Sequence, residues 1–231
     1  KHRGREPISC RLVFDLLKTA GADRIMSVDL HAAQSQGFFD GPVDHLIAMP
    51  VLVDYIRDRF SNQLDNVAVV SPDAGRIRVA EQWAQRLGGG PLAFVHKTRD
   101  ITRPNQAVAN RVVGDVAGKD CVLVDDLIDT AGTIAGACNV LKDAGAKSVT
   151  VVATHGVLSG PAVDRLKNCG AREVVLTDTV PIPEEKRWDG LTVLSIAPLL
   201  ASAIRAVFED GSVADLFDTY PEHHGQGFLF A

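Results

Sequence analysis

Two kinds of hydrophobic pattern alternate along the chain. Short apolar runs rich in β-branched residues predict strands, and segments with apolar positions every three or four residues predict amphipathic helices. We expect strands at residues 24–28, 67–71, 92–95, 121–125, 148–153, 173–176 and 192–195, and helices at 8–20, 51–60, 78–87, 133–144, 161–168 and 198–208. Nearly continuous apolar strands between helices are typical of a parallel sheet that is covered on both faces. The pattern therefore predicts a doubly wound α/β fold.

Three glycines and a repeated sequence pattern indicate how the chain is divided into units. Gly21, Gly88 and Gly145 follow the last turns of three predicted helices, where a left-handed residue commonly ends a helix. The segments LLKTAGADRIMSV and LKDAGAKSVTVV share a helix, a glycine and a strand, which suggests two similar α/β units. The alternative is that helix–glycine–strand joints resemble one another in any α/β protein. We expect a first unit ending near residue 49, a second unit at 50–218 and a flexible tail at 219–231.

Composition and charge exclude several classes of protein. With 231 residues, 46% of them hydrophobic and 23% charged, the chain reads as globular rather than fibrous or disordered. A net charge of -5 disfavours nucleic-acid binding. No apolar run is long and uninterrupted enough to span a membrane, and no signal peptide is recognisable. The four cysteines lack zinc-site spacing, so we expect reduced, mostly buried thiols and a cytoplasmic protein.

The strongest chemical signal is the segment VLVDDLIDTAGT at residues 122–133. Asp125 and Asp126 stand at the carboxyl end of a predicted strand, where open α/β sheets bind ligands. The small residues that follow lead directly into a helix, so backbone N–H groups and the helix N-terminus can approach an anion. Thr130 and Thr133 add hydroxyl donors, and two neighbouring carboxylates suit the hydroxyls of a sugar. We therefore expect a site for a sugar phosphate.

A simpler interpretation of part of this segment is helix capping. Asp129 and Thr130 are residue types that commonly cap a helix, although capping leaves the acidic pair at the strand end unexplained. The segment is neither a Walker A loop nor a G-x-G-x-x-G loop, so the common nucleotide motifs do not account for it.

The segment resembles the phosphoribosyl-diphosphate loop of type I phosphoribosyltransferases and ribose-phosphate diphosphokinases. The resemblance implies that Asp125 and Asp126 hold ribose hydroxyls. It also implies that the 5-phosphate is held by a turn of five consecutive residues, Asp129, Thr130, Ala131, Gly132 and Thr133. Many family members have glycine where this chain has Ala131, a change that a left-handed backbone would resist. The implied fold is a phosphoribosyltransferase-like pair of doubly wound parallel sheets, with the end of an N-terminal unit and a complete C-terminal unit.

Further motifs resemble the ribose-phosphate diphosphokinases in particular. They occur in the family's order: KHRGREPIS at 1–9, DLHAAQSQGFF at 29–39, SPDAGRIRVAE at 71–81, KTR at 97–99 and GDVAGKDCVLVDD at 114–126. The family transfers the diphosphoryl group of ATP to the C1 hydroxyl of ribose 5-phosphate and releases AMP. Such transfer depends on positioning and on charge neutralisation, and the implied cofactor is Mg²⁺.

The same resemblance assigns roles to individual residues. Lys97 would stabilise the transferring phosphoryl oxygens, and Arg99 would contact ribose 5-phosphate. Lys1 and Arg3 would belong to a mobile catalytic loop that closes over the phosphates. His31 and Asp73 would be the residues associated with Mg²⁺. Without the resemblance, other interpretations apply. His31 can be a structural histidine where a strand meets a loop, and Asp73 an ordinary turn residue. Lys97 and Arg99 can belong to a solvated basic loop, and Lys1 and Arg3 to a solvated chain end.

The chain lacks the N-terminal stretch that carries the family's contacts to ATP, so we expect an N-terminally truncated member whose own ATP binding is in doubt. Two other functions stay open: a non-catalytic relative that regulates active subunits, and a phosphoribosyltransferase that consumes phosphoribosyl diphosphate. The resemblance further implies a homo-oligomer, often a hexamer, with ADP and phosphate as effectors. We expect neither nucleic acid nor a membrane among its partners.

Overall fold

The computed structural model describes residues 8–98 and 109–218, apart from the side chains at 97, 98, 109, 110, 217 and 218. Its elements, in chain order, are α1 (Ser9–Thr19), β1 (Ile25–Val28), β2 (Val43–Leu46), α2 (Met49–Arg59), β3 (Val67–Ser71), α3 (Ile77–Arg86), β4 (Leu92–Thr98), β5 (Ala109–Val113), β6 (Asp120–Ile128), α4 (Gly132–Asp143), β7 (Ser148–Gly156), α5 (Ala162–Asn168), β8 (Glu173–Thr177), β9 (Leu191–Leu194), α6 (Ala197–Phe208) and α7 (Asp215–Asp218). Four short 3₁₀ turns, at Ala33–Phe38, Leu64–Asn66, Ala74–Arg76 and Glu184–Lys186, complete the described elements.

The chain divides into two compact units. The first takes the residues up to Pro50 together with those from Ile196 onwards, and the second is Val51–Ser195. In the first unit, β1 and β2 form a parallel pair in which Ile25 lies opposite Val43. The division into a first unit ending near residue 49 and a second at 50–218 stays a prediction, and in the structure α6 groups with the first unit. The sheet of the second unit ends with β9, and α6 begins three residues after it.

A seven-stranded sheet forms the centre of the second unit. The strand order is β5-β4-β3-β6-β7-β8-β9, and every neighbouring pair is parallel except β4 with β5, which is antiparallel. A parallel connection needs a crossover, and α3, α4 and α5 supply crossovers between successive strands. The prediction of an α/β fold with a buried parallel sheet is thus confirmed.

The core of the second unit lies where α4 and α5 cover β6 and β7. Its most completely buried side chains include Leu123, Ile134, Leu141 and Leu176. Each fully buried aliphatic side chain contributes about 1.5–3 kcal/mol. The four cysteines all fall in the described part of the chain and are free thiols, with Cys121, Cys138 and Cys169 buried. Among the described residues, no helix combines the length and apolar character required to cross a membrane.

Two strands were not predicted, and three others, β4, β6 and β7, each end three residues later than predicted, so Asp125 and Asp126 lie within β6 and not at its carboxyl end. β2 has the sequence VDHL and β5 has ANRVV, so neither carries the apolar run that marks the buried strands. β5 pairs with β4 at the edge of the sheet, opposite His96, Lys97 and Thr98. This pairing extends β4 to Thr98, so Lys97 lies within the strand and not just after it. The partner that lengthens β4 is remote in sequence, so local periodicity could not reveal it.

A buried carboxylate ties three segments together at the amino-terminal end of β6. Asp120 is 1% exposed, and it accepts hydrogen bonds from Lys147 Nζ at 2.7 Å, Ser148 Oγ at 2.7 Å and Asn66 Nδ2 at 3.3 Å. Burial alone would raise the pKa of Asp120, but these hydrogen bonds outweigh it and lower the pKa below its ordinary value. The carboxylate therefore stabilises the folded chain in its ionised form.

Replacing Asp120 by alanine removes the acceptor for all three donors. We expect Asp120→Ala to lower the free energy of unfolding by about 2 kcal/mol, since hydrogen bonds to a buried charge contribute about 1.5–3 kcal/mol. Urea denaturation at neutral pH measures the change. Asp143→Ala is the matched control, because Asp143 is exposed at the end of α4. Equal losses in the two variants would contradict a specific role for the buried carboxylate.

Candidate functional site

A pocket lies where β6 ends and α4 begins. It has a volume of about 170 Å³. Its walls are Asp125, Leu127, Ile128, Asp129, Thr130, Ala131, Gly132, Thr133 and Ile134. The structure therefore gathers the five predicted phosphate-binding residues and Asp125 around one cavity. Asp126, also predicted to bind the sugar, is not part of this lining.

The connection between β6 and α4 has a left-handed residue at its centre. Ala131 is the N-cap of α4, with φ 58° and ψ 12°, and it is 4% exposed. A residue with a Cβ in this conformation costs roughly 1–2 kcal/mol, so the loop geometry is maintained against a local penalty. An alanine side chain has no acceptor for the N–H groups of the first turn, and no acidic residue lies in that turn. The capping interpretation of Asp129 and Thr130 is therefore wrong.

Neighbouring segments hold the loop through its carbonyl oxygens. The N–H groups of Val157 and Leu158 donate to Ile128, and that of Ser159 donates to Asp129. Arg165 on α5 donates from Nη1 to the carbonyl of Thr130 at 2.9 Å. In a trans peptide the C=O and the following N–H point in opposite directions, so the N–H groups that follow these carbonyls are directed away from the donors. These N–H groups belong to residues 129–131, just before α4, whose own first N–H groups have no acceptor within the helix, so the segment suits an anion.

Behind the pocket, Arg76 joins the two carboxylates of the acidic pair. Its Nη2 donates a hydrogen bond to Asp126 Oδ2, and its Nε lies 3.4 Å from Asp125 Oδ1. The backbone N–H of Asp126 also donates to Asp125 Oδ1 at 2.9 Å. The side chains are 21% exposed for Arg76, 13% for Asp125 and 11% for Asp126. The pair is therefore a shielded, charge-compensated cluster at the edge of the pocket.

Burial raises the pKa of Asp125 to about 7, and the hydrogen bond and negative charge of Asp126 act in the same direction. The backbone N–H of Asp126 and the guanidinium of Arg76 act against the increase. Close to neutral pH, the carboxyl group of Asp125 is therefore still partly protonated, whereas a solvated aspartate would be fully ionised.

The two residues predicted to associate with Mg²⁺ belong to different units. Asp73 is in the second unit, and its Oδ1 accepts a hydrogen bond from the N–H of Gly75 at 2.9 Å. His31 is an exposed residue of the first unit, after β1. Among the residues that the structure describes, no three histidine, cysteine or acidic side chains are grouped as a metal site. A carboxylate is a suitable ligand for Mg²⁺, whereas an imidazole suits softer metals better.

The turn before His31 is held by a polar network within the first unit. Asp29 has φ 42°, and its Oδ2 accepts a hydrogen bond from the N–H of Ala48 at 3.1 Å. His45 Nε2 accepts from the N–H of Leu30 at 2.8 Å. Burial lowers the pKa of His45, although the charge of Asp29 opposes the shift. His45 is therefore suited to act as a neutral acceptor that shapes this turn.

Four further predicted residues lie wholly or partly outside the described part of the chain. Lys1, Arg3 and Arg99 lie outside the described residues. The backbone of Lys97 pairs with Asn110 across β4 and β5, and its side chain lies outside the described part.

Two arginines next to the pocket were not predicted as site residues. Arg76 follows the SPDAG motif, so its place beside a predicted metal residue was the available signal. Arg165 lies 32 residues beyond Thr133 in sequence, and only the packing of α5 against α4 brings it to Thr130. A basic residue on the exposed face of a helix carries no sequence signal of such a contact.

Comparisons with known proteins agree with the sequence resemblance. A family model described as the phosphoribosyl synthetase-associated domain matches residues 94–218. Ribose-phosphate pyrophosphokinase of Bifidobacterium longum is 96% identical over 231 residues, which is 100% of this chain and 68% of that protein. The protein of the same name from Mycobacterium tuberculosis is 67% identical over 218 residues, covering 94% of this chain and 66% of that protein.

A solved structure is also similar. Phosphoribosylpyrophosphate synthetase from Mycobacterium smegmatis matches with a TM-score of 0.84 and 65% identity, over 91% of this chain and 67% of that chain. The chain thus spans about two thirds of the length of these relatives.

The raised pKa of Asp125 gives stability a defined pH dependence. The folded chain keeps a proton that the unfolded chain loses between the ordinary pKa of 3.8 and about 7. The folded state binds more protons in this window, so the free energy of unfolding decreases as the pH rises through it. We expect Asp125→Asn to flatten this decrease, as measured by urea denaturation from about pH 5 to pH 8. Identical slopes for the wild type and the variant would show that Asp125 titrates normally.

Proposed function

Because the chain belongs to the family of ribose-phosphate pyrophosphokinases, we propose that it carries the ribose 5-phosphate site of an enzyme that makes 5-phosphoribosyl 1-diphosphate. In the family's reaction, the C1 hydroxyl of ribose 5-phosphate attacks the β-phosphorus of ATP, and AMP leaves. The observation that carries the proposal is the uncapped start of α4 opening into a pocket beside Asp125.

In this proposal, the phosphate and the sugar hydroxyls of ribose 5-phosphate contact protein groups of different kinds. The phosphate lies at Thr130–Thr133, where backbone donors, hydroxyls and the start of α4 favour a dianion. The sugar hydroxyls face Asp125, which lines the pocket. Asp126 is held beside Asp125 by Arg76, which contacts both carboxylates. Asp129, exposed on the loop, completes the turn.

Diphosphoryl transfer requires positive charge around the triphosphate, because charge develops on the transferring oxygens. We propose Lys97, Lys1 and Arg3 for this role and Arg99 for contact with ribose 5-phosphate. Mg²⁺ neutralises phosphate charge when it is bound, and the carboxylate of Asp73 and the side chain of His31 would hold it. The carboxylate of Asp73 is a hard oxygen ligand of the kind that this ion prefers, and the imidazole of His31 is a softer one.

We propose a cytoplasmic enzyme, in line with four free cysteines in the described chain. Following the family resemblance, we propose a homo-oligomer, with a hexamer as the expected size, and ADP and phosphate as effectors.

Calorimetry with ribose 5-phosphate, inorganic phosphate and ribose tests the binding site. We expect ribose 5-phosphate to bind more tightly than phosphate, and ribose alone to bind weakly, since the loop supplies most of the charge complementarity. Asp125→Asn should weaken ribose 5-phosphate binding about tenfold, because one carboxylate acceptor is lost. The same variant should change phosphate affinity little.

Asp143→Asn is the control for this experiment, because it removes an equal charge from the exposed far end of α4. No measurable binding of ribose 5-phosphate by the wild type would contradict the proposed site. Equal weakening by Asp125→Asn and Asp143→Asn would show a general effect of charge.

The transfer reaction is tested by AMP release from ATP in the presence of ribose 5-phosphate and Mg²⁺. In a chain of the relatives' full length, we expect Lys97→Ala to remove most of the turnover while ribose 5-phosphate affinity is retained. Lysine acts there as a point charge on the transferring group, which is felt mainly in the transition state. An unchanged kcat in the variant would exclude this role for Lys97.

A further inference from the structure

We propose that Arg76 is a positioning residue for the sugar: it holds the carboxylates of Asp125 and Asp126 in one arrangement and offsets their charge beside a bound sugar phosphate. The inference rests on the proposed function, because it concerns how the acidic pair of that site is held in place to bind sugar hydroxyls. Arg76 does not line the pocket, so it acts through the two aspartates.

Arg76 contacts the carboxylates of Asp125 and Asp126 at the same time. A guanidinium is a planar fork, and two of its nitrogens face two different side chains here, Nη2 toward Asp126 and Nε toward Asp125. The three side chains are 11–21% exposed, so water screens these charges only in part. One cation thereby restrains two neighbouring side chains that repel each other when both are ionised.

The backbone before Arg76 is itself restrained. Ser71, the last residue of β3, donates from Oγ to the carbonyl of Asp73 at 2.6 Å, and Asp73 accepts from the N–H of Gly75 at 2.9 Å. These bonds shape the short turn Ala74–Arg76 at the end of β3. Because β3 is the direct neighbour of β6, this turn places Arg76 next to the acidic pair.

Charge explains why such a residue is needed. A sugar phosphate brings about two negative charges to a pocket whose wall already contains a carboxyl pair. Like charges in such a pocket repel each other, because water screens them only in part. The guanidinium of Arg76 offsets the charge of the pair, so Asp125 can accept hydrogen bonds from sugar hydroxyls without excluding the phosphate. A lysine at this position would keep the positive charge but would lose the planar guanidinium that faces both carboxylates.

The test is calorimetry on the whole chain with Arg76→Met, Arg76→Lys and the control Arg78→Met. Arg78 is an exposed arginine two residues further on, so its replacement removes the same charge at nearly the same place in the sequence. We expect Arg76→Met to weaken ribose 5-phosphate binding at least tenfold, Arg76→Lys to recover part of the loss, and Arg78→Met to change the affinity less than twofold. Inorganic phosphate should be affected less than ribose 5-phosphate.

A double-mutant cycle with Asp126→Asn separates positioning from general damage. If Arg76 acts through the pair, Arg76→Met should weaken ribose 5-phosphate binding much less in the Asp126→Asn background than in the wild type. Additive losses, or equal losses for ribose 5-phosphate and phosphate, would overturn the inference. So would a wild-type affinity in Arg76→Met.

The failure of the proposed function would look different. In that case the wild-type chain itself would not bind ribose 5-phosphate, and the inference would fall with the site. Thermal unfolding of each variant shows whether it is folded, and partial recovery in Arg76→Lys would tie the loss to charge at this position.

Discussion

Strand β6 is the element on which the rest of the second unit depends. It pairs with β3 on one side and with β7 along nearly its whole length on the other. The register of both neighbouring strands is therefore set against β6. Its two ends bear polar groups with opposite consequences. Asp120, at the start, is fully satisfied by hydrogen bonds and stabilises the fold, whereas the acidic pair near the end keeps a raised proton affinity. The stabilising carboxylate and the acidic pair of the pocket therefore lie toward opposite ends of the same strand.

The pocket combines two kinds of electrostatics over a short distance. The start of α4 presents backbone donors and no carboxylate, which favours an anion. The acidic pair next to it favours hydroxyl groups, provided that its charge is reduced. A ligand with a phosphate at one end and hydroxyls at the other satisfies both requirements. Arg76 and Arg165 approach from different elements, so the charge balance of the pocket depends on tertiary packing.

Much of this could be predicted from the sequence, for reasons that particular elements illustrate. The strand at 67–71 was predicted to the residue, because three valines and an alanine form an apolar run over its first four positions. The glycines at 21, 88 and 145 do adopt positive φ, as a left-handed helix end requires. The loop at 129–133 was found because chemistry and backbone shape are encoded in consecutive residues. β2, β5, Arg76 and Arg165 were missed, because each depends on a partner distant in sequence.

Ala131 gives the loop a further property. Because its left-handed backbone and buried methyl group are built into the folded chain, the turn is shaped before any ligand arrives. The conformational entropy of ordering this segment is then lost during folding and not during binding. A site of this kind can accept its ligand without a slow rearrangement, and its occupancy can follow rapid changes in the ligand's concentration.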